Sequence, residues 1–496
     1  MGSYITFPEL LIWLPLLAGV LCFFTKREQA AKSMALIFSL VILGISAASL
    51  FYTDAKYATW NAVNYFYANN IGNTFYVGLD GTGRLLTFLT ALAFPIIFIA
   101  TYKSSYKNAA SYYGLMLLTQ SGLMGVFCSM DALLFYFFWE LALIPVYFLC
   151  SKWGGEKRIQ ATFKFFVYTF AGSLLMLTGI IYVYLHTGGR IFEDGTQVAH
   201  SFAISSFYSA SLTGTEQNWL FWLFFVAFAV KMPVFPFHTW QPDTYDQSPT
   251  SVTMVLSGIM VKMGLFGVIR WLIPIFPLAT AKFSHIVMVL SIIGIIYASC
   301  IAIVQDNIKK LVAYSSIAHI GLMCAAIFAM NQVSVQGVML QMFNHGINII
   351  GLWIVIDLLE KQTGVKQISK LSGVAHKAPV LTILLVIIAL ANIALPLTNA
   401  FTGEFLMFSG LYKFNGWYAA IAGIGIILAA VYTLNMIQKV FYGSTNSVTE
   451  AVKEISWNEK FILGVIVCLV FIIGVYPQPV IDLTKEAVTV LVSKLK

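Results

Sequence analysis

Long apolar runs separated by short polar connections make up most of this 496-residue chain. A helix that crosses a bilayer needs about 20 consecutive apolar residues. The pattern predicts an all-α membrane protein with about 14 transmembrane helices and both termini on the same side. The predicted spans cover residues 4–24, 33–52, 84–102, 112–129, 131–151, 161–186, 219–239, 250–273, 283–304, 309–329, 334–360, 379–412, 417–441 and 458–477.

Two of these spans carry helix-breaking residues next to an ionisable side chain. In the seventh span Lys231 is followed by Pro233 and Pro236, and in the twelfth span Pro396 precedes Glu404. Proline removes a backbone donor and interrupts a helix. The carbonyls that it frees inside a membrane need polar partners within the protein. We therefore expect helices 7 and 12 to be interrupted.

Interrupted helices at corresponding places in a chain are typical of transporters built from internal repeats. Here the two lie five spans apart, and an odd number of spans inverts the topology, so we expect two inverted five-helix repeats. The segment from Val480 onward is amphipathic and fits either the membrane surface or a neighbouring subunit. The expected organisation is spans 1–3 in residues 1–111, the first repeat (spans 4–8) in 112–273, the second (spans 9–13) in 283–441, and the last span with the amphipathic segment in 442–496.

Charge is scarce, and its placement predicts the orientation. Charged residues make up 10% of the chain, where a soluble domain has about 25%. Lysines and arginines concentrate in alternate connections, which the positive-inside rule makes cytoplasmic. Both termini are then outside. The connection 240–249 is an exception, because it carries Asp243 and Asp246 without a base. The net charge of +8 includes no basic run long enough for nucleic acid, so the expected surroundings are lipid.

Six ionisable residues fall near the middle of predicted spans. Each costs roughly 2.5–3.5 kcal/mol to insert at that depth, so all six together exceed about 10 kcal/mol. A role in helix packing explains any single one of these residues better than it explains all six together. A series of polar groups near the middle of the membrane favours a proton path. The six candidates are Glu140, Lys231, Lys262, His319, His345 and Glu404.

Other polar residues have simpler interpretations. We expect Arg270 to pair or to reach solvent at the end of the eighth span. The chain has no Gly-rich dinucleotide motif and no cysteine cluster, so we expect no cofactor or metal on it and no redox centre. The remaining histidines are expected at span ends or in loops: His186, His200, His238, His285 and His376.

Three motifs carry a resemblance to a known family. The run from Lys231 through His238-Thr-Trp240 to Lys262-Met-Gly264, together with Trp139-Glu140-Leu141, resembles the antiporter-like subunits of respiratory complex I and the related cation/proton antiporters. The likeness covers roughly residues 80 to 445. Phe401-Thr-Gly-Glu404-Phe405 is similar to the branch that has a glutamate in the twelfth span, where its sister subunits L and N have lysine.

The resemblance implies roles for the candidate residues. It makes Glu140 and Lys231 a charge pair, Lys262 the central relay and Glu404 the group facing the exit. His319 and His345 match relay positions between Lys262 and Glu404. One departure is Gln241-Pro-Asp-Thr-Tyr245, where the family usually ends in histidine. No acidic residue occurs between Arg84 and Asp131, which leaves the cytoplasmic side of the path undefined.

The resemblance also implies a function and partners. The expected function is proton translocation from cytoplasm to periplasm within a proton-translocating NADH:quinone oxidoreductase, driven by redox chemistry in partner subunits. FMN, iron–sulfur clusters and quinone would sit on those partners, and the sister subunits L and N would be neighbours. The expected location is the bacterial inner membrane, with both termini periplasmic. The alternative is a subunit of a monovalent cation/proton antiporter or of a membrane-bound hydrogenase.

Overall fold

A computed structural model describes residues 5–52, 59–62, 75–191 and 197–494. Two short antiparallel hairpins accompany the helices, one formed by β1 Thr59–Ala62 and β2 Phe75–Gly78 and one by β3 Arg190–Ile191 and β4 Gln197–Val198. The helices are α1 Phe7–Phe23, α2 Glu28–Phe51, α3 Gly81–Ala100, α4 Ala109–Cys128, α5 Ala132–Trp153, α6 Arg158–Leu185, α7 Ile204–Tyr208, α8 Gly214–Lys231, α9 Gln241–Gln247, α10 Thr250–Ile275, α11 Pro277–Val304, α12 Ile308–Phe328, α13 Gln332–Thr363, α14 Val374–Lys377, α15 Pro379–Asn392, α16 Asn399–Phe414, α17 Gly416–Phe441, α18 Trp457–Val475 and α19 Gln478–Ser493.

Every predicted span overlaps one of these helices. Within the described ranges, 10 helices are long and apolar enough to cross a membrane, and α1 and α15 are shorter apolar helices. The seventh predicted span corresponds to α8, and the twelfth corresponds to α15 and α16 together. The all-α membrane fold is confirmed. The number of crossings and the inverted repeats remain predictions.

The bundle has two chemically different ends. The end that we call the basic end carries the lysine-rich connections; there Trp153 Nε1 donates to the Lys107 carbonyl over 2.7 Å. The other, which we call the terminal end, carries the start of α1, Asp80 at the start of α3, and α19. There Asp80 pairs with Arg270 over 2.5 Å, as expected for the end of the eighth span.

Both predicted interruptions are present. The helix α8 ends at Lys231, and α9 begins ten residues later at Gln241. Buried Trp240 donates through Nε1 to the Val230 carbonyl over 2.9 Å, which satisfies a carbonyl at the broken end. The second break separates α15 from α16, where Asn344 Nδ2 donates to the Asn399 carbonyl over 2.7 Å. Side chains thus supply the partners that backbone loses at a break inside a membrane.

The helix α10 contains two π-helical segments that the sequence analysis did not anticipate. They are Leu256–Met260 and Val268–Leu272, and they lie on either side of the short α-helical stretch that holds Lys262. The membrane-spanning part of α10 is completely buried in the bundle. π-helical turns are rare and are frequent at functional sites, so they mark this helix as unusual.

The acidic connection at the basic end is surrounded by lysines from other helices. Asp243 lies 2.9 Å from Lys164 Nζ and 3.3 Å from Lys310 Nζ. Asp246 lies 3.3 Å from Lys366 Nζ. The connection 240–249 needs no base of its own, because the bases arrive from α6, α12 and the loop after α13. The pairs made by Lys310 and Lys366 also tie the first predicted repeat to the second.

The amphipathic helix α19 packs on this chain's own helices. Its buried positions Thr484, Val488 and Leu491 repeat at the spacing of one helix face. Gln336 Nε2 on α13 donates to Thr484 Oγ1 over 2.6 Å. This face is therefore occupied within the chain, and only the opposite face is left for lipid or a neighbour. The last two residues of the segment lie outside the described ranges.

Candidate functional site

Four of the six candidate side chains form a connected group at the centre of the bundle. Lys262, His345, His319 and Glu404 come from α10, α13, α12 and α16. All four are at most 7% exposed. Helices remote in sequence therefore converge to bring these titratable groups together away from water.

Lys262 makes two hydrogen bonds through its ammonium group. Nζ lies 2.9 Å from the Ser257 carbonyl and 2.9 Å from His345 Nδ1. The carbonyl belongs to the first π-helical segment, so that segment supplies an acceptor to the lysine. Among the described residues no carboxylate forms an ion pair with Lys262, and its charge is stabilised by neutral acceptors alone.

His345 connects Lys262 with the second histidine. If Lys262 donates to Nδ1, His345 carries its proton on Nε2, an assignment made from the contacts. That nitrogen faces Ser316 Oγ at 3.4 Å. The imidazole rings of His345 and His319 have centroids 5.6 Å apart and planes inclined by 55°. The two rings are neighbours but are not directly hydrogen-bonded, so a proton passing between them needs a ring movement or a water.

His319 and Glu404 form the far end of the group. His319 Nδ1 lies 3.3 Å from Glu404 Oε1, and Asn392 Nδ2 lies 3.4 Å from His319 Nε2. These contacts favour the tautomer that donates to Glu404 from Nδ1 and accepts from Asn392 at Nε2. Gln341 Nε2 donates to the same glutamate oxygen over 3.3 Å. The carboxylate thus has two donors.

A small cavity lies against this far end. It measures about 20 Å³ and is lined by His319, Glu404 and Tyr432 together with apolar residues of α11, α12, α16 and α17. A space of about 10–15 Å³ suffices for one water, so the cavity has room for one between the carboxylate and the tyrosine. Tyr432 Oη donates to Ser315 Oγ over 3.0 Å.

Sequence reasoning missed the amides and hydroxyls that hold the relay. Asn392, Gln341, Ser315 and Tyr432 are uncharged, so their presence inside apolar spans did not stand out. One signal was available: Asn392 lies at the break of the twelfth span. A buried amide beside a break is expected to have a hydrogen-bond partner.

The remaining two candidates, Glu140 and Lys231, lie apart from the connected group. Lys231 Nζ has no hydrogen-bond partner in the described part of the chain, and it lies 5.4 Å from the centre of the Trp139 ring. Glu140 is partly exposed and interacts electrostatically with Lys231. No ion pair joins the two side chains in the described residues. The structure therefore places them as neighbours without closing the contact.

His238 lies in the interruption after α8, as expected for a span end or a loop, but it is only 3% exposed. Its ring lies against Tyr297, with centroids 5.3 Å apart, and its Nδ1 has no hydrogen-bond partner among the described residues. The interruption after α8 folds back into the bundle, which is why a residue that follows the span is buried. His186 does lie at a helix end, as expected.

Comparison with known proteins identifies a family that this chain matches. The profile of the family described as "NADH:quinone oxidoreductase/Mrp antiporter, TM" matches residues 129–429, which contain all six candidate residues. The chain belongs to this family. NADH-quinone oxidoreductase subunit M of Rickettsia prowazekii is 35% identical over 492 residues, covering 97% of this chain and 98% of the relative. NADH-ubiquinone oxidoreductase chain 4 of Prototheca wickerhamii is 32% identical over 504 residues, covering 97% and 93%.

Solved structures show the same fold. A chain of respiratory complex I from Thermus thermophilus superposes with a TM-score of 0.88 at 27% identity, covering 98% of this chain and 99% of that one. A chain of the Mrp complex from Dietzia sp. DQ12-45-1b superposes with a TM-score of 0.84 at 18% identity, covering 99% of each. The similarity to the Mrp complex extends to the fold alone. The resemblance stated from the motifs, to the branch with a glutamate in the twelfth span, is confirmed by the subunit M relatives.

Proposed function

We propose that this chain is the proton-translocating subunit M of an NADH-quinone oxidoreductase. The observation that carries the proposal is the connected group Lys262, His345, His319 and Glu404, buried where the helices converge. Each member accepts or donates a proton, and adjacent members are in hydrogen-bond contact or ring contact. General acid–base groups in such contact are what a proton path requires.

The path has a direction set by the two ends of the bundle. Lysine-rich connections make the basic end cytoplasmic by the positive-inside rule, so both termini are periplasmic in a bacterial inner membrane. Protons reach Lys262 from the side of Glu140 and Lys231. They then pass through His345 and His319 to Glu404, the proposed exit-side group, which lies beside the small cavity.

Glu140 and Lys231 are neighbours that do not form an ion pair, and gating follows from this arrangement. A lysine held near a carboxylate keeps its proton, and one separated from it in an apolar site releases it. A change that closes or opens this contact therefore changes the proton affinity of Lys231. The energy comes from redox chemistry in partner subunits, which would carry FMN, iron–sulfur clusters and quinone. The sister subunits L and N are the proposed neighbours in the membrane.

The deciding experiment replaces Lys231 by methionine. Inverted membrane vesicles from cells carrying Lys231→Met are energised with NADH, and proton uptake and quinone reduction are recorded. Native gels establish that the complex has assembled. We expect pumping and coupled quinone reduction to fall together, because the seventh-span lysine is an obligatory site in a path linked to redox chemistry.

The alternative function is monovalent cation/proton antiport, the activity of the related antiporters to which the motifs also show a resemblance. It predicts that Lys231→Met leaves NADH-driven pumping unchanged and abolishes sodium/proton exchange in the same vesicles. That outcome would overturn the proposal.

A further inference from the structure

A second polar site lies at the terminal end of the bundle, far from the relay. It is a cavity of about 890 Å³, a size within the range of small-molecule binding pockets. The ends of α2 and α10, the start of α3, the short helix α7 and the outward side of α19 form its walls. We propose that this cavity binds the headgroup of a zwitterionic phospholipid with a primary amine.

The floor of the cavity holds a cation that the protein leaves incompletely paired. Arg84 is 5% exposed, and its Nε donates to the Leu79 carbonyl over 3.2 Å. Its two terminal nitrogens have no hydrogen-bond partner in the described part of the chain. The neighbouring Asp80 is already paired with Arg270 over 2.5 Å. A buried guanidinium with free donors is a favourable partner for a phosphate, which it can bind with two parallel hydrogen bonds.

The rim carries two acidic groups and one lysine, Lys494, whose Nζ lies 3.3 Å from the centre of the Tyr208 ring. Asp482 and Glu486 lie one turn apart on α19, line the cavity and are exposed. A carboxylate pair at the rim above a cation on the floor matches a headgroup that has a phosphate and an ammonium. Since the two rim carboxylates outnumber the rim lysine, the arrangement is more favourable for a headgroup that also carries an ammonium than for one with only negative charge.

The mouth of the cavity adjoins the part of the surface that faces lipid. Leu50 and Phe51 at the end of α2 line it, and Phe51 is 83% exposed. The same helix exposes Ile37, Leu40 and Val41 along its length, an apolar strip suited to an acyl chain. A lipid lying along α2 can place its headgroup in the cavity without leaving the membrane.

The test uses the intact complex and a phosphatidylethanolamine that carries a photoreactive diazirine in its acyl chain. Wild-type complex in detergent is irradiated with this probe, and the labelled peptides are identified by mass spectrometry. We expect labelling at the end of α2, reduced at least fivefold by Arg84→Gln and unchanged by Lys485→Gln, which alters an exposed lysine of α19 outside the cavity. Unchanged labelling in Arg84→Gln overturns the proposal.

A second variant and two competitors complete the test. Val490→Trp adds a bulky ring at the rim of the cavity and leaves Arg84 in place, and it too is expected to reduce labelling in complexes that native gels show to be assembled. Unlabelled phosphatidylethanolamine should compete, whereas phosphatidylglycerol and inorganic phosphate should compete at least tenfold less well. Equal competition by phosphatidylglycerol or by inorganic phosphate overturns the assignment of a zwitterionic lipid.

Discussion

Lys262 and His345 share a hydrogen bond of 2.9 Å, and within the described residues no carboxylate is ion-paired with either of them. Two basic groups in direct contact cannot both hold a positive charge cheaply in a buried site. The pair therefore holds one positive charge more easily than two.

Replacing Lys262 by methionine should stop proton transfer at this point. The substitution preserves the length of the side chain and removes its charge, so His345 Nδ1 loses its donor. We expect NADH-driven proton uptake to fall about 100-fold, the lower end of the usual contribution of a proton-transfer group. The control is Lys282→Met, at an exposed lysine of α11. Equal pumping in wild type and Lys262→Met would remove Lys262 from the path.

Glu404→Gln should block the far end of the relay. The glutamine keeps the shape and accepts from Gln341, but it cannot take a proton from His319 at ordinary pH. Proton uptake should fall by at least about tenfold, with native gels showing normal assembly. The exposed Glu450→Gln serves as the matched control. A variant that pumps normally would show that protons leave the path before Glu404.

Asn392 should act through His319. In Asn392→Leu, His319 Nε2 loses its donor, and the tautomer that places a proton on Nδ1 is no longer favoured. A hydrogen bond of this kind contributes about 1 kcal/mol, so pumping should slow about fivefold and its pH profile should shift. A purely structural role would lower the amount of complex without moving the profile. Ile388→Leu, buried in the same helix, is the control.

The acidic connection at the basic end should make stability depend on pH. Burial raises the pKa of Asp246, but hydrogen bonding by Asn307 and the charge of Lys366 outweigh it, and the net pKa is below the usual value. A lowered pKa stabilises the folded state above the unfolded pKa of about 3.9. That stabilisation is lost as the pH falls through the folded value.

Asp246→Asn should therefore lower the thermal midpoint of the purified complex at pH 7, and this effect should shrink as the pH falls below about 3.9 and through the lower pKa of the folded aspartate. The loss at pH 7 should be about 1–3 kcal/mol, since a partly buried hydrogen-bonded charge is removed. The exposed Glu156→Gln should leave the midpoint unchanged at every pH. A gap between wild type and Asp246→Asn that does not shrink as the pH is lowered would show that the aspartate acts through packing.

The helices and the six candidates were predictable because membrane insertion makes them conspicuous. Charges such as Lys231 and Glu404 stand out in apolar spans, and proline marks the breaks. The neutral amides did not stand out, since asparagine and glutamine insert at lower cost than charges. The contacts of Lys262 depend on the packing of α10 against α13, which periodicity does not reveal in a helix that is buried on every side.

The position of His238 is a second example of a tertiary feature that the local sequence does not reveal. Its place at the end of the seventh span did not indicate burial, but the broken segment folds back into the bundle and buries it. Similarly, Asp243 and Asp246 appeared unpaired in their own connection because their lysine partners come from distant parts of the chain. Pairing between remote segments is a property of the tertiary fold, and local sequence carries no record of it.

The two π-helical segments of α10 have a consequence for length variation in this helix. Each π turn holds one residue more than an α-helical turn, and one residue turns a helix by about 100°. Losing one residue from Leu256–Met260 would restore an ordinary α-helical turn there. Lys262 and the residues that follow it would keep their positions relative to one another. Single-residue insertions and deletions that relatives tolerate in α10 should therefore fall inside these two segments, and a deletion between them should be selected against.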